Sequence, residues 1–225
     1  MVDIENYHLK STSFLDALNP KEKEFVKEKM TRLEFKKGQA LFKEGTNPKG
    51  VYIVKKGKVK IFKTNIQGNE SIVYIYKKGD YFGYRPLLAQ RPQPVSAVAM
   101  DTVVVGYIPK EAFLTLFNRS DSLGKKLALI LAQEFSVWVN KMTVFTEFSV
   151  KERVALSLLI LSKIYQKENE SKVIINIGRD DLASYVGTAK ESLVRTLRLF
   201  KDEKIISTQN TKISVLRPEL LSKYF

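Results

Sequence analysis

The sequence predicts an α+β chain in three parts: a β-rich N-terminal domain, one long helix, and a C-terminal helix-turn-helix with a β wing. Three observations carry this. Eight of the 11 glycines fall before residue 110, where they punctuate β-rich runs. Residues 122–146 hold no proline and only an early glycine, Gly124. Two short helical patterns meet at Gly187 and are followed by two short β-rich runs. The bounds expected for the three parts are 1–118, 119–148 and 149–225.

Residues 20–33 open on Pro20 and read as one amphipathic helix. Beyond them, β-rich segments cover 51–54, 58–62, 71–76, 95–100 and 102–108. Gly57, Gly68 and Gly79 stand 11 residues apart among them. Short strands at even spacing with glycine turns predict an antiparallel barrel or sandwich.

After Pro109 the pattern becomes helical. Residues 122–146 carry two apolar stripes. One runs Leu123, Leu127, Ile130, Val137, Val144, interrupted by Glu134 and Lys141; the other runs Leu131, Phe135, Trp138, Met142, Phe145. A helix apolar on two sides must be covered on two sides. One side is expected to pack on its own β-domain and the other on a second copy, and the Leu123–Val144 stripe is assigned to the copy. Burial of both stripes inside a monomer is the alternative. Residues 150–165 form a further helix after Ser149, a good N-cap, and the polar loop 166–172 leads to the winged part near Val173.

Residues 179–195 are the most informative stretch. Leu182 and Val186 are placed to face a second helix, Ala183 is small enough for close approach, and Gly187 suits a sharp turn at positive φ. In the second helix Leu193, Leu197 and Phe200 recur at i, i+4, i+7, an apolar face. Glu191, Arg195 and Arg198 share that spacing on another side. An acceptor and forked donors on a helix anchored from behind suit base edges in a major groove. The same residues have a purely structural use: Thr188-x-x-Glu191 is a capping box, and Glu191 with Arg195 an i, i+4 ion pair. Residues 204–207 and 212–215 flank Gln209-Asn210 like a hairpin, which shifts the balance toward a winged helix.

Composition bounds the chemistry. There is no cysteine, and His8 is the sole histidine, so thiolate zinc, iron–sulfur, haem and His-based catalytic sites have little to work with. No phosphate loop, metal cluster or nucleophile–base pair suggests an enzyme. The N-terminus lacks the features of a signal peptide, and the longest apolar runs, 127–132 and 156–161, are too short to span a bilayer. A soluble, cytoplasmic protein without membrane partners is expected. The net charge is +14, yet residues 1–110 hold 20 Lys/Arg against 11 Asp/Glu, while 149–225 hold 14 against 9. Most of the excess lies outside the candidate DNA-binding part. It favours association with DNA without identifying the reader.

In this order the parts resemble the cyclic-AMP receptor protein/FNR (CRP–FNR) family of bacterial transcription regulators. The resemblance rests on Lys37-Gly-Gln-Ala-Leu-Phe-Lys-Glu-Gly45, Gly50-Val-Tyr-Ile-Val-Lys-Lys-Gly57 and Gly79-Asp-Tyr-Phe-Gly83, with Val186-Gly-Thr-Ala-Lys-Glu-Ser-Leu-Val-Arg195 near the C-terminus. It implies a double-stranded, cyclic-nucleotide-binding-like β-roll, a long dimerisation helix, and a homodimer on a two-fold symmetric operator of double-stranded DNA. RNA polymerase is the further partner it implies. Glu191 falls on the family's base-reading glutamate and Arg195 on its arginine; Lys190, Thr188 and Arg179 fall at phosphate contacts or, for Lys190, a looser base contact.

The sensor half departs from the family pattern in Phe82-Gly-Tyr-Arg-Pro-Leu-Leu-Ala-Gln-Arg-Pro-Gln-Pro-Val-Ser-Ala97. Tyr84 stands at the ribose-binding glutamate, and Val95, just before Ser96, at the phosphate-binding arginine. Loss of that arginine removes the bidentate clamp on the phosphate. Trp138 falls where the family's helix offers hydroxyls to adenine. The expected pocket, formed by Phe82, Gly83, Tyr84, Arg85, Val95, Ser96 and Trp138, is therefore degenerate. Cyclic AMP is not expected to bind in the family manner; no cofactor is expected and the effector is unknown. Arg85 and Arg91 are placed either to hold another anion or simply to stay solvated. A different class of function stands as the alternative: a ligand sensor acting through protein contacts, with a weak or vestigial DNA-binding domain.

Overall fold

The computed structural model describes residues 4–8, 13–166 and 173–225; of the expected polar loop, 167–172 lie outside them. Among the described residues the chain falls into two compact units, one ending at Gln133 and the other comprising Glu134–Phe225 with residues 4–8.

Helix α1 (Pro20–Lys29) begins where the sequence predicts. The Asn19 side chain accepts from Glu22 N at 3.0 Å, and Glu22 Oε2 accepts from Asn19 N at 2.8 Å. Pro20 sits where no amide hydrogen is needed. The helix stops four residues short of the predicted Leu33. Thr31–Phe35 is instead strand β1, paired with strand β8 from Thr31↔Tyr107 to Phe35↔Val103. Arg32 and Glu34 point to solvent while Leu33 and Phe35 are half-buried, so this stretch satisfies a period of two as well as of 3.6. Only the long-range partner decides between them.

Seven more strands complete the β-roll: β2 (Ala40–Phe42), β3 (Gly50–Lys56), β4 (Val59–Thr64), β5 (Glu70–Tyr76), β6 (Tyr81–Phe82), β7 (Ser96–Ala99) and β8 (Val103–Pro109). Helix α2 (Tyr84–Ala89) lies between β6 and β7. They form two antiparallel sheets ordered β1-β8-β3-β6 and β2-β7-β4-β5. Consecutive strands, except β4 and β5, cross from one sheet to the other, so the glycine spacing becomes intelligible: Gly57 and Gly79 lie at crossings, and Gly68 at the β4–β5 hairpin tip. Gly57 is required twice over. Its φ is 83°, and a Cβ there would lie 2.5 Å from Thr102 O.

Helix α3 (Lys110–Arg119) follows directly, and Ser120 breaks the chain before α4 (Asp121–Glu147), 27 residues long. Leu123, Leu127 and Ile130 join Val51, Ile53, Ile108, Phe113 and Leu116 in one buried cluster. Val137 and Val144 are also buried. This corrects the stripe assigned to a partner: Leu123, Leu127, Ile130, Val137 and Val144 are covered by their own chain. The opposite side remains open, with Phe135 70% and Met142 65% exposed, and Leu131, Val139 and Phe145 exposed beside them.

In the C-terminal unit α5 (Val150–Tyr165) starts on a complete capping box. Ser149 Oγ accepts from Glu152 N, and Glu152 Oε2 accepts from Ser149 N at 2.6 Å. Those bonds hold the Glu152 carboxyl below its ordinary range. Strand β9 (Ile175–Asn176), helices α6 (Arg179–Val186) and α7 (Lys190–Asp202), strands β10 (Ile206–Gln209) and β11 (Lys212–Val215), and α8 (Pro218–Leu221) follow, with the sheet ordered β10-β11-β9. The second strand of the wing lies at 212–215 as the sequence predicts, whereas the first starts two residues later than expected. Lys204 ends α7 in the left-handed region at φ 56°, so β10 begins at Ile206 and the turn is Asn210-Thr211, with Asn210 at φ 52°.

Candidate nucleic-acid interface

Helices α6 and α7 meet as the sequence predicts. Leu182, Ala183 and Val186 are buried, as are Leu193, Leu197 and Phe200 behind α7. At the turn, the amides of Gly187 and Thr188 both donate to Ala183 O, at 2.9 and 3.1 Å. Gly187 has φ 72°, and a Cβ there would lie 2.7 Å from Cε1 of Phe145, at the end of α4. No other residue fits without moving that ring.

The local uses that competed with base reading are not made. Helix α7 is capped by Ala189, with no side-chain cap bond, rather than by Thr188. Because Thr188 N–H closes the turn onto Ala183, the helix starts one residue later than the capping box requires. Glu191 and Arg195 are exposed on the outer face and form no ion pair or hydrogen bond among the described residues. An uncapped helix start also leaves amide donors open to an anion.

Two other predicted contacts are engaged within the chain. Lys190 Nζ lies 2.7 Å from Asp180 Oδ1, joining the starts of α7 and α6. Both side chains are more than half exposed, so this pair contributes about 0–1 kcal/mol. Arg179 is half-buried, where a solvent-exposed phosphate contact was expected. Its Nη2 donates to Asn210 O at 3.0 Å, tying the start of α6 to the wing turn. Burial lowers the guanidinium pKa, and Nη1 is enclosed without a bonding partner.

The expected effector residues are largely packed away. Phe82 lies between Tyr52 and Tyr76, with ring centroids at 5.2 and 5.0 Å and planes within 10° of parallel. Tyr74 continues the stack beyond Tyr76 at 5.6 Å. The rings join the edge strand β5 of one sheet to β6 and β3 of the other. Such pairs contribute about 0.5–1.5 kcal/mol each beyond their buried area, and burial pushes the Tyr52 phenol up to about 12. Tyr84 belongs to the buried cluster under α2. Arg85 lies over the rings of Tyr74 and Tyr84 at 5.8 and 5.7 Å and donates to Tyr76 Oη at 3.4 Å. Gly83 has φ 92°, and a Cβ there would lie 2.8 Å from Gly50 O. Val95 is half-buried, and Ser96 Oγ accepts from Glu44 N at 3.0 Å. Trp138 belongs to the other compact unit, under Lys141 Nζ at 5.9 Å. The sequence reading missed the stacking tyrosines, although Tyr74 and Tyr76, two apart on one strand, share a face. Arg91 instead borders a cleft of about 460 Å³ with Pro48, Pro86, Gln90 and Lys110.

Among the described residues no helix is long and apolar enough to cross a membrane, and no group of His, Cys, Asp or Glu has the makings of a metal site.

Known proteins agree with this architecture. The family model of the cyclic nucleotide-binding domain matches residues 32–120, and that of the Crp-like helix-turn-helix domain matches 152–224. The cyclic AMP receptor protein of Thermus thermophilus is 24% identical over 96% of this chain and 97% of its own. The fumarate and nitrate reduction regulatory protein of Vibrio cholerae is 26% identical over 80% of this chain and 72% of its own. Among solved structures, FixK2 of Bradyrhizobium japonicum superposes with a TM-score of 0.77 at 20% identity, covering 87% of this chain and 96% of that one. A CRP/FNR-family regulator of Eubacterium rectale gives 0.75 at 21%, covering 98% and 99%. A nucleotide-binding-type roll and a Crp-like helix-turn-helix in one chain, in this order and over nearly its whole length, make it a transcription regulator of the CRP–FNR family.

Proposed function

We propose that this chain acts as a homodimer that reads a two-fold symmetric operator through α7, with Glu191 accepting from a cytosine amino group and Arg195 donating to guanine O6 and N7. The observation that carries the reading is the freedom of those two side chains on a helix whose other face is buried. Each well-formed bidentate contact discriminates by about 1–3 kcal/mol. Lys190, Thr188 and the uncapped start of α7 are placed for phosphate, and Arg179 serves them by holding the wing.

The exposed side of α4, Leu131, Phe135, Val139, Met142 and Phe145, is the surface we assign to the second copy. It supports the reading because large apolar side chains at helical spacing, left open to water, are characteristic of an interface. Two copies then present their α7 helices roughly 34 Å apart, one turn of duplex. The packed rings around Phe82 and the burial of Tyr84 support a roll that does not take cyclic AMP in the family manner. Contact with RNA polymerase belongs to the same proposal.

The test is selection of duplexes from a random-sequence pool by the purified protein, at about 150 mM salt because a basic protein binds any duplex when counterions are scarce. A recovered inverted repeat whose preference is lost in Arg195→Ala and Glu191→Ala supports the reading. A pool that stays random, or a preference indifferent to both substitutions, rejects it.

A further inference from the structure

The loops beside α2 and the start of α3 border a cleft that neither α7 nor the ring stack uses. Its volume is about 460 Å³, within the range of small-molecule sites, roughly 300–1,000 Å³. Pro48, Pro86, Leu87 and Leu114 form apolar walls, and Arg91 and Lys110 complete the lining with cations. All six belong to the compact unit of the roll.

Backbone bonds hold the walls in place. Gln90 ends α2 in the left-handed region at φ 52°, and Arg91 N donates back to Pro86 O at 3.1 Å. The chain beyond Arg91 is tied to the β2–β3 loop. There Gln93 N donates to Thr46 O and Gly45 N to Gln93 O, both at 2.8 Å, and Gln93 is itself buried. On the other side, Lys49 O accepts from Lys110 N at 2.8 Å and from Tyr107 Oη at 2.6 Å. Pro48 and Pro86 add rings with fixed φ and no amide hydrogen. The cleft is shaped before anything enters it, so a ligand has little chain to order.

Its charge is one-sided. Arg91 and Lys110 are exposed and form no ion pair among the described residues, and no Asp or Glu lines the cleft. Lysines on the sheets behave differently: Lys60 pairs with Glu70 and Lys63 with Glu44, both at 2.5 Å.

We infer that this cleft binds a small organic acid, with its carboxylate against Arg91 and Lys110 and its hydrocarbon body against the prolines and leucines. A guanidinium fork matches the two oxygens of a carboxylate, and an ammonium adds a point charge beside it. A bare inorganic anion has no body to cover the apolar walls, and a neutral hydrocarbon makes no use of the two cations. The site stands independently of how α7 reads DNA.

The test titrates the full chain with octanoate by isothermal titration calorimetry, with acetate and octan-1-ol as partial mimics. Octanoate is expected to bind saturably with a Kd below about 1 mM. Acetate lacks the hydrocarbon body and octan-1-ol the charge, so each should bind more weakly by about tenfold or more. Reversing both cations, Arg91→Glu with Lys110→Glu, should weaken octanoate by about tenfold or more and admit octylammonium instead. A misfolded chain could not make that exchange. The same reversal at Lys21 and Lys23, exposed on α1, changes the net charge equally and should leave octanoate within about twofold of native. Absence of saturable octanoate binding overturns the inference, as does octan-1-ol binding equally well. Octanoate binding that survives the reversal of Arg91 and Lys110, or is lost without a gain of octylammonium, overturns it too. So does an equal loss in the Lys21, Lys23 variant.

Discussion

Arg85 in the roll and the pair Glu191 and Arg195 in the winged helix are long polar side chains treated in opposite ways. Arg85, in the roll, is held over two rings and bonded to Tyr76. Glu191 and Arg195, on α7, have nothing to hold them. A cation already packed and bonded must give up those contacts before it meets a ligand, whereas a solvated one need only exchange water. The same residue type is therefore structural at one position and available at another. Availability follows from neighbours rather than from the sequence motif.

Four measurements would break or sharpen this contrast. The largest effect is expected in the roll, where Phe82→Ala empties the centre of the ring stack and should cost about 3–5 kcal/mol in chemical denaturation. A loss under about 1 kcal/mol would mean that the site is not filled by packing. On α7 the effect should fall on recognition instead: Arg195→Ala should lose about 1–3 kcal/mol of preference for the selected operator, with thermal unfolding unchanged. A drop in the unfolding midpoint as large as that of Phe82→Ala would turn Arg195 into a structural residue.

The third measurement concerns pH. The Tyr52 phenol is raised by burial from 10 to about 12 in the folded chain. Its contribution is thus fully present below pH 10 and is lost as the pH climbs toward 12. Tyr52→Phe should flatten that part of the stability curve; a slope identical to native would sink the assignment. The smallest effect is the most diagnostic for α7. An N-cap threonine contributes about 1 kcal/mol, but Thr188 does not cap, so Thr188→Ala should change stability by less than about 0.5 kcal/mol, measured by denaturant midpoint.

Much of this was legible in the sequence because the deciding signals were local. Ser149 and Glu152 announce the start of α5 three residues apart, and Gly187 announces the turn between α6 and α7. What failed was decided at a distance. Thr31–Phe35 fits either period until β8 pairs with it. The two stripes of α4 are about equally apolar, and no local feature says which one the chain's own core will take. The Leu123 side won because it meets Val51, Ile108 and Phe113. At Thr188 the obstacle was a competition for one amide, which the turn took before the helix could use the hydroxyl beyond it. Glu191 and Arg195, the pair proposed to read DNA, could be singled out from their spacing, and their freedom became visible only in three dimensions.

One contact joins two roles that are otherwise separate. The ring of Phe145 fills the space that a side chain at Gly187 would need, and Phe145 stands on the same open side of α4 as Phe135 and Met142. Helix α4 therefore ends in a cog seated in a notch of the helix-turn-helix. A side chain at Gly187 must displace that ring, so Gly187→Ala is expected to disturb the end of α4 together with the turn preceding α7.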